Sequence, residues 1–175
     1  LRLDALDNEP IRAPLHPAGR FGDMVGQSVV MRRLFSRIAQ VAASMAQLRR
    51  LKRVASAQGI DSPTFRDRVA AVEIELRALE MTELRIVTAE QQGRSPGPEA
   101  SLLKIKGTEV AQAITELLVE AAGYDALPDR WALAEGDNAP PIGPDYADSI
   151  APYYFNWRKT SIFGGSNEIQ RNIIA

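Results

Sequence analysis

The 175-residue sequence has no cysteine and a single histidine, His16. These absences exclude disulfides, thiolate chemistry and a histidine-rich metal centre, so no metal site is predicted. Apolar runs are only a few residues long, and the first residues do not follow the order of a signal peptide. We therefore expect neither a membrane span nor export, and we predict a cytoplasmic protein.

An excess of charge of one sign is also missing, because 21 lysine and arginine residues stand against 22 aspartate and glutamate residues. The formal net charge of −1 gives no overall attraction to nucleic acid or to anionic lipid, so neither is expected as a partner. Apolar residues make up 45% of the chain and charged residues 25%, which is typical of one soluble domain with a hydrophobic core.

Apolar residues recur at helical spacing in three long segments. The spacing predicts helices over about 26–57, 63–92 and 99–122. Asp61 and Ser62 before a proline are a typical helix start, because a side-chain oxygen is able to cap the first turn. The three segments are each followed by a glycine that stops the helix: Gly59, Gly93 and Gly123.

Shorter helical segments follow a long loop at 123–144, which is rich in proline and glycine. Residues 145–160 look helical, but we expect Pro152 to interrupt them. A last helix is predicted after Gly164 and Gly165, with Ser166 as its N-cap. With no alternating strand pattern, the expected fold is all-α: an antiparallel up-and-down bundle over 25–175, preceded by an extended connector at 1–24 from an absent upstream domain.

The segment YYFNWRKTSIFGGSNEIQR at 153–171 differs most from helical core sequence. Gly164 and Gly165 leave room for a ligand close to the backbone, and the first N–H groups of the next helix, near Ser166, are available donors. These features indicate a site for an anion or a polar cofactor. They are also typical of an ordinary N-cap after a glycine turn, which the short local signal favours by itself, so both interpretations stay open.

The tail RKTSIFGGSNEIQRNIIA resembles the closing signature of the acyl-CoA dehydrogenase family, and LLKIKGTEVAQAITELLVEAAGY adds to this resemblance, which covers about 26–175. It is particularly similar to the actinobacterial branch that acts on steroid or other bulky thioesters. The resemblance implies the family's C-terminal helical domain, FAD as cofactor, an acyl-CoA substrate, and a homo- or hetero-oligomer of acyl-CoA dehydrogenase subunits. The implied reaction oxidises the Cα–Cβ bond of the thioester, in lipid metabolism or steroid degradation.

The same resemblance implies roles for the residues around the glycine pair. The backbone of Gly165 corresponds to a position that meets the acyl-CoA. Three consecutive residues correspond to the stretch that contacts FAD: Ser166, Asn167 and Glu168. Two arginines are implied as neighbours of that site: Arg158 and Arg171. The family's arginine, phenylalanine and glycine signature, which reaches the flavin of a partner subunit, is not recognisable in residues 54–62.

No catalytic residue is predicted in this chain, because the family's carboxylate is missing from both of its positions. One position, just before the final Gly-Ser, holds Gly164. The other lies on the first long helix near Leu34, and no aspartate or glutamate occurs anywhere from Met24 to Ile60. Removing the α proton of a thioester needs a positioned carboxylate.

Two explanations of the missing base are open. Another carboxylate substitutes for it, either Asp23 or an acid of the second helix, and the cations at 32–53 form a solvated face or meet cofactor phosphates. Alternatively, the chain is the non-catalytic subunit of a heteromer whose active partner supplies the base, which is the reading we favour. In either case we expect the chain alone to be inactive. A different class of function is a helical scaffold or oligomerisation module that has lost flavin binding.

Overall fold

The computed structural model describes residues 20–21, 24–25, 29–94, 97–128, 143–163 and 165–175, with side chains from residue 41 onward except at 90 and 91. Its three long helices are α1 (Val29–Ala57), α2 (Pro63–Gln91) and α3 (Glu99–Ala122). The predicted ends of α2 and α3 are confirmed to within one residue, whereas α1 begins three residues later than the predicted position 26.

The ends of these helices follow from local chemistry. Ser62 Oγ accepts a hydrogen bond from the backbone N–H of Phe65 at 3.2 Å, so it caps the first turn of α2 as predicted. The glycine after each long helix has a positive φ, a backbone conformation that only glycine adopts at little steric cost and that ends the helix there. Local sequence therefore sets both where these helices begin and where they end.

The remaining elements are short. Strands β1 (Arg20–Phe21) and β2 (Met24–Val25) pair antiparallel, and the rest of the predicted connector at 1–24 lies outside the described residues. Helices α4 (Ile150–Trp157) and α5 (Asn167–Ile174) lie near the C-terminus. Single 3₁₀ turns occupy three further stretches: Gly123–Ala126, Asp145–Ala147 and Arg158–Ser161.

The expected interruption at Pro152 is wrong. Pro152 is the third residue of α4, where a backbone N–H has no carbonyl partner inside the helix, so the proline removes no helical hydrogen bond. The predicted helical segment 145–160 is instead divided into three elements, with α4 in the middle and a 3₁₀ turn before and after it. Residues 129–142 of the predicted loop lie outside the described residues.

Helix α3 lies at the centre of the bundle and contacts α1, α2, α4 and α5. Ion pairs join Arg68 to Glu120 and Glu75 to Lys106, so residue numbers rise along α2 as they fall along α3, and the two helices are antiparallel. The apolar residues that recur at helical spacing along α3 are buried over its whole length, at Leu103, Val110, Ile114, Leu117 and Ala121. The all-α bundle is confirmed.

The core joins α3 to the helices on both sides. Its most completely buried large side chains come from α1, α2, α3 and α4, namely Leu51, Val54, Leu76, Ile114, Leu117, Leu118 and Ile150. On α1, the side chains before residue 41 lie outside the described part of the structure. Across the described ranges, no helix is both long and apolar enough to cross a bilayer.

Candidate functional site

The predicted site residues lie at the turn that leads into α5. Gly165 has a φ of +88°, a backbone conformation that favours glycine, and a Cβ atom there would lie 2.7 Å from Nε2 of Gln170, so the end of that flexible side chain would have to shift. Ser166 is the N-cap of α5, and its Oγ accepts a hydrogen bond from the backbone N–H of Ile169 at 3.4 Å. Gly164 lies outside the described residues.

Asn167, the first residue of α5, is buried and turns its side chain inward onto α3. Its Oδ1 accepts a hydrogen bond from Lys104 Nζ at 2.6 Å, and its Nδ2 donates to Thr108 Oγ1 at 3.2 Å. The Thr108 hydroxyl donates in turn to the carbonyl oxygen of Ile105 at 2.8 Å. Both ends of the Asn167 amide are thus bonded within the chain, which leaves its backbone for any contact with FAD.

Gln112 and Arg158 bind the segment before the turn to α3. Gln112 Nε2 donates to the carbonyl oxygens of Trp157 and Arg158, each at 3.2 Å. One terminal nitrogen of Arg158 donates to the carbonyl oxygen of Gln112 and to Thr115 Oγ1, each at 2.8 Å. The guanidinium carbon also lies 4.4 Å from the ring centroid of Tyr154, a cation–π distance. The side chain of Arg158 therefore makes its contacts with other residues of this chain.

Four polar side chains of α3 hold the C-terminal segment. They are spaced by four, four and three residues, so they share one face of the helix, nearly opposite the apolar face. We call this row the α3 polar stripe: Lys104, Thr108, Gln112 and Thr115. The sequence interpretation missed these residues, although polar residues recurring at that spacing inside an apolar helix are a detectable signal.

Glu168 is exposed in the first turn of α5, where its carboxylate is stabilised in the charged form. Hydrogen bonds from its own backbone N–H and from the Ser166 hydroxyl lower its pKa, and the charges of Arg171 and Lys104 lower it further. A negative charge at a helix N-terminus is also favourable because of the helix dipole. Arg171 lies 3.2 Å from a carboxylate oxygen of Glu109, so it links α5 to α3.

A cavity of about 240 Å³ lies between α1, α2, α3 and α5. Its wall includes Lys104 and Gly107 of α3, Gln170 of α5 and the buried Glu83 of α2. Burial lowers the pKa of Lys104, and the nearby charge of Glu168 opposes this effect. The cavity therefore extends from the core to residues that contact the candidate turn.

Two cations of α1 have structural partners. One terminal nitrogen of Arg50 donates to the carbonyl oxygen of Tyr146 at 2.9 Å and to Ser149 Oγ at 2.8 Å, so it anchors the turn before α4. Lys52 Nζ lies 2.6 Å from a carboxylate oxygen of Glu73 on α2. For these two side chains the structure favours packing over contact with cofactor phosphates.

The predicted site residues fall into two groups. Gly165, Ser166 and Glu168 lie together at the turn, where their backbone or side chains are accessible. Asn167 faces the interior. The second predicted position of a base, near Leu34, lies on α1, and its side chain is outside the described residues. The roles of these residues in binding stay predictions.

Comparisons with known proteins agree with this architecture. The sequence profile of the acyl-CoA dehydrogenase C-terminal domain matches residues 18–175. No curated protein matches the chain. Among solved structures, the chain is similar to the "Tcur3481-Tcur3483 steroid ACAD" and to a glycine-to-alanine variant of it, each with a TM-score of 0.61 and 20% identity over 82% of this chain.

The similarity to these two structures establishes the fold. The chain covers 36% and 37% of them, so it spans little more than a third of their length. The profile match, by contrast, extends over most of the chain and includes both the helical bundle and the terminal turn. The chain therefore belongs to the acyl-CoA dehydrogenase family, and residues 18–175 correspond to that family's C-terminal domain.

Proposed function

We propose that the chain is the C-terminal domain of an FAD-dependent acyl-CoA dehydrogenase that oxidises the Cα–Cβ bond of a bulky, steroid-type acyl-CoA. In this proposal it belongs to the non-catalytic subunit of a hetero-oligomer. The carboxylate that takes the α proton comes from a second acyl-CoA dehydrogenase subunit. FAD, when bound, accepts the β hydrogen as a hydride. This chain contributes cofactor contacts and packing.

The proposal is carried by a well-formed cofactor turn that lacks a base. Gly165 and Ser166 lie in the turn before α5, and by the sequence resemblance Gly164 stands where the family has its carboxylate. The other family position falls in a stretch, residues 24–60, that contains no acidic residue. Because proton abstraction next to a thioester needs a positioned carboxylate, we assign the base to a partner subunit.

The residues at the turn fit a polar cofactor. The Ser166 hydroxyl and a first-turn N–H of α5 donate to the Glu168 carboxylate, so a cofactor oxygen that accepts from them has to replace Glu168 as their acceptor. Gly165 has no side chain to block access to its backbone. We assign FAD to Ser166, Glu168 and the backbone of Asn167, and the acyl-CoA to the backbone of Gly165.

Two further observations support an assembly. The name of the solved neighbour joins two proteins, Tcur3481 and Tcur3483, in one steroid acyl-CoA dehydrogenase. In this chain, the C-terminal elements expose several large apolar side chains, which are typical of surfaces that another domain or subunit covers. They are Phe155, Ile162, Phe163, Ile169 and Ile173.

The test uses the full-length protein, purified alone and together with the product of each adjacent homologous gene. We expect flavin absorbance in at least one preparation, and oxidation of a steroid-type acyl-CoA only when the partner is present. Replacing the partner's candidate carboxylates by amides should abolish turnover without releasing FAD. Turnover by the full-length homomer alone would refute the assignment of the base to a partner.

A matched pair of variants tests the cofactor turn itself. Ser166→Ala should weaken FAD binding, because it removes a donor at the turn. Ser56→Ala, at an exposed serine on α1, should leave FAD binding unchanged. If no preparation of the wild-type protein carries FAD, the flavoprotein assignment fails and the scaffold alternative takes its place.

A further inference from the structure

One lysine binds both sides of the candidate cofactor turn. Lys104 Nζ donates to the carbonyl oxygen of Ser161, before Gly165, at 2.9 Å, and to Oδ1 of Asn167, after Gly165, at 2.6 Å. Ser161 ends a 3₁₀ turn, and Asn167 begins α5. A single ammonium group on α3 therefore connects the residue where the chain enters the turn with the residue where it leaves.

The group that Lys104 holds has little freedom to rotate. Thr108, one turn further along α3, accepts a hydrogen bond from Nδ2 of Asn167 at 3.2 Å. A flip of the Asn167 amide would place its two donors against the Lys104 ammonium, which has no acceptor to offer. Hydrogen bonds from an ammonium group are also stronger than those between neutral groups. The start of α5 is thus fixed by two residues of α3.

We propose that Lys104 is a positioning residue of the cofactor site: through Asn167 and Ser161 it sets the direction in which the Ser166 hydroxyl and the first N–H groups of α5 point toward FAD. This inference rests on the proposed function. In this role Lys104 holds the turn from its position on α3 and influences the cofactor site through the turn. Removal of the Lys104 side chain would let the turn shift. A displacement of about 1 Å at an aligned catalytic site is able to lower the reaction rate about 100-fold.

A purely structural lysine would behave differently. It would tie the C-terminal segment to α3, so its loss would lower the stability of the apoprotein and leave the surroundings of bound flavin unchanged. A positioning lysine, in contrast, changes the contacts that the flavin makes, and these contacts determine its absorption and fluorescence. The spectrum of bound FAD therefore separates the two roles.

The experiment compares Lys104→Met, Lys104→Arg and Lys106→Met in the full-length protein, with its partner subunit where FAD binding requires one. Lys106 is the matched control, since it is a half-exposed lysine on the same helix that pairs with Glu75 and Glu109, each at 3.3 Å. The Kd for FAD, the visible absorption and fluorescence of bound FAD, and the unfolding of the apoprotein are measured for each.

We expect Lys104→Met to raise the Kd for FAD by about 10- to 100-fold, the range that corresponds to losing one hydrogen bond to a charged group, and to change the spectrum of the FAD that remains bound. Lys104→Arg, which keeps the charge and offers N–H donors in a different geometry, should restore part of the affinity. Lys106→Met should change neither. An apoprotein that is less stable but binds FAD with an unchanged spectrum overturns the inference.

A second variant covers the case in which Lys104→Met does not fold. Thr108→Val removes the hydroxyl that holds the other end of the Asn167 amide, and a smaller change in the same direction is expected. If Thr108→Val folds and binds FAD as the wild type does, with an identical spectrum, the inference is wrong. Absence of FAD from wild-type protein refutes the proposed function as a whole, whereas flavin that is insensitive to Lys104 refutes only this inference.

Discussion

Gln112 and Arg158 bind each other in both directions, although 46 positions of sequence separate them. Gln112 Nε2 donates to the carbonyl oxygen of Arg158 at 3.2 Å, and an Arg158 nitrogen donates to the carbonyl oxygen of Gln112 at 2.8 Å. Each residue thus satisfies a backbone carbonyl of the other. The pair attaches the segment that leads to the candidate cofactor turn to the middle of α3.

Arg158→Met should destabilise the protein, because it removes the charged donor to Gln112 and Thr115. Hydrogen bonds to charged groups contribute about 1.5–3 kcal/mol, so the free energy of unfolding should fall by about that amount. Urea denaturation of the full-length protein measures it. The exposed neighbour Lys159 supplies the control, since Lys159→Met should change stability by no more than about 0.5 kcal/mol. Equal losses in the two variants would contradict the role of Arg158.

Gly165→Ala and Gly59→Ala separate backbone strain from crowding at the site. Both glycines have positive φ, +88° and +67°, so either substitution should cost about 1–2 kcal/mol of stability. Only at Gly165 would the new methyl group meet the side chain of Gln170. We therefore expect only Gly165→Ala to weaken FAD binding, as measured by titration with FAD. Equal affinities in the two variants would place the cofactor elsewhere.

Glu168 should make stability depend on acid pH. Its pKa in the folded protein is lowered, chiefly by its own backbone N–H, so its contribution is fully present above the ordinary value of 4.5 and is lost as the pH falls through the folded pKa. Glu168→Gln should therefore be less stable than wild type at neutral pH, and the difference should disappear in acid. Urea midpoints across this range, with the exposed Glu116→Gln as control, measure the effect. A difference that persists unchanged in acid would exclude it.

Ile114 and Ile74 provide a test of the core. Ile114, on α3, is 1% exposed, whereas Ile74, on α2, is 69% exposed. Ile114→Ala should lower the free energy of unfolding by about 2–5 kcal/mol, since it removes buried apolar atoms and leaves a cavity. Ile74→Ala should change it by about 0.5 kcal/mol or less. Denaturation of both variants under one condition checks the central position of α3.

The long helices could be predicted because apolar spacing and terminal glycines act locally. The effect of Pro152 could not, because it depends on where α4 begins. The structure places that start just after Ser149, whose hydroxyl is held by Arg50 from α1, 99 positions earlier. A proline three residues into a helix is tolerated, while one further along would break it. The start of α4 is thus accompanied by a contact between Arg50 and Ser149, which are far apart in the sequence.

The location of the candidate site was also readable from sequence, but its internal arrangement was not. Two glycines and a capping serine mark a turn wherever they occur together. Whether Asn167 faces a cofactor or the core depends on how α5 rests on α3. That orientation is set by Lys104 and Thr108, which lie 63 and 59 positions away. No pattern within the terminal motif contains this information.

Helix α3 carries its buried apolar face and the α3 polar stripe on nearly opposite sides of one cylinder. Each residue added to an α-helix turns the rest of it by about 100°. A single insertion between Lys104 and Thr108 would therefore rotate Val110 out of the core and Gln112 away from Arg158 in the same event. The number of residues in α3 between Lys104 and Gln112 is therefore constrained twice: by the burial of the apolar face and by the contact of Gln112 with Arg158.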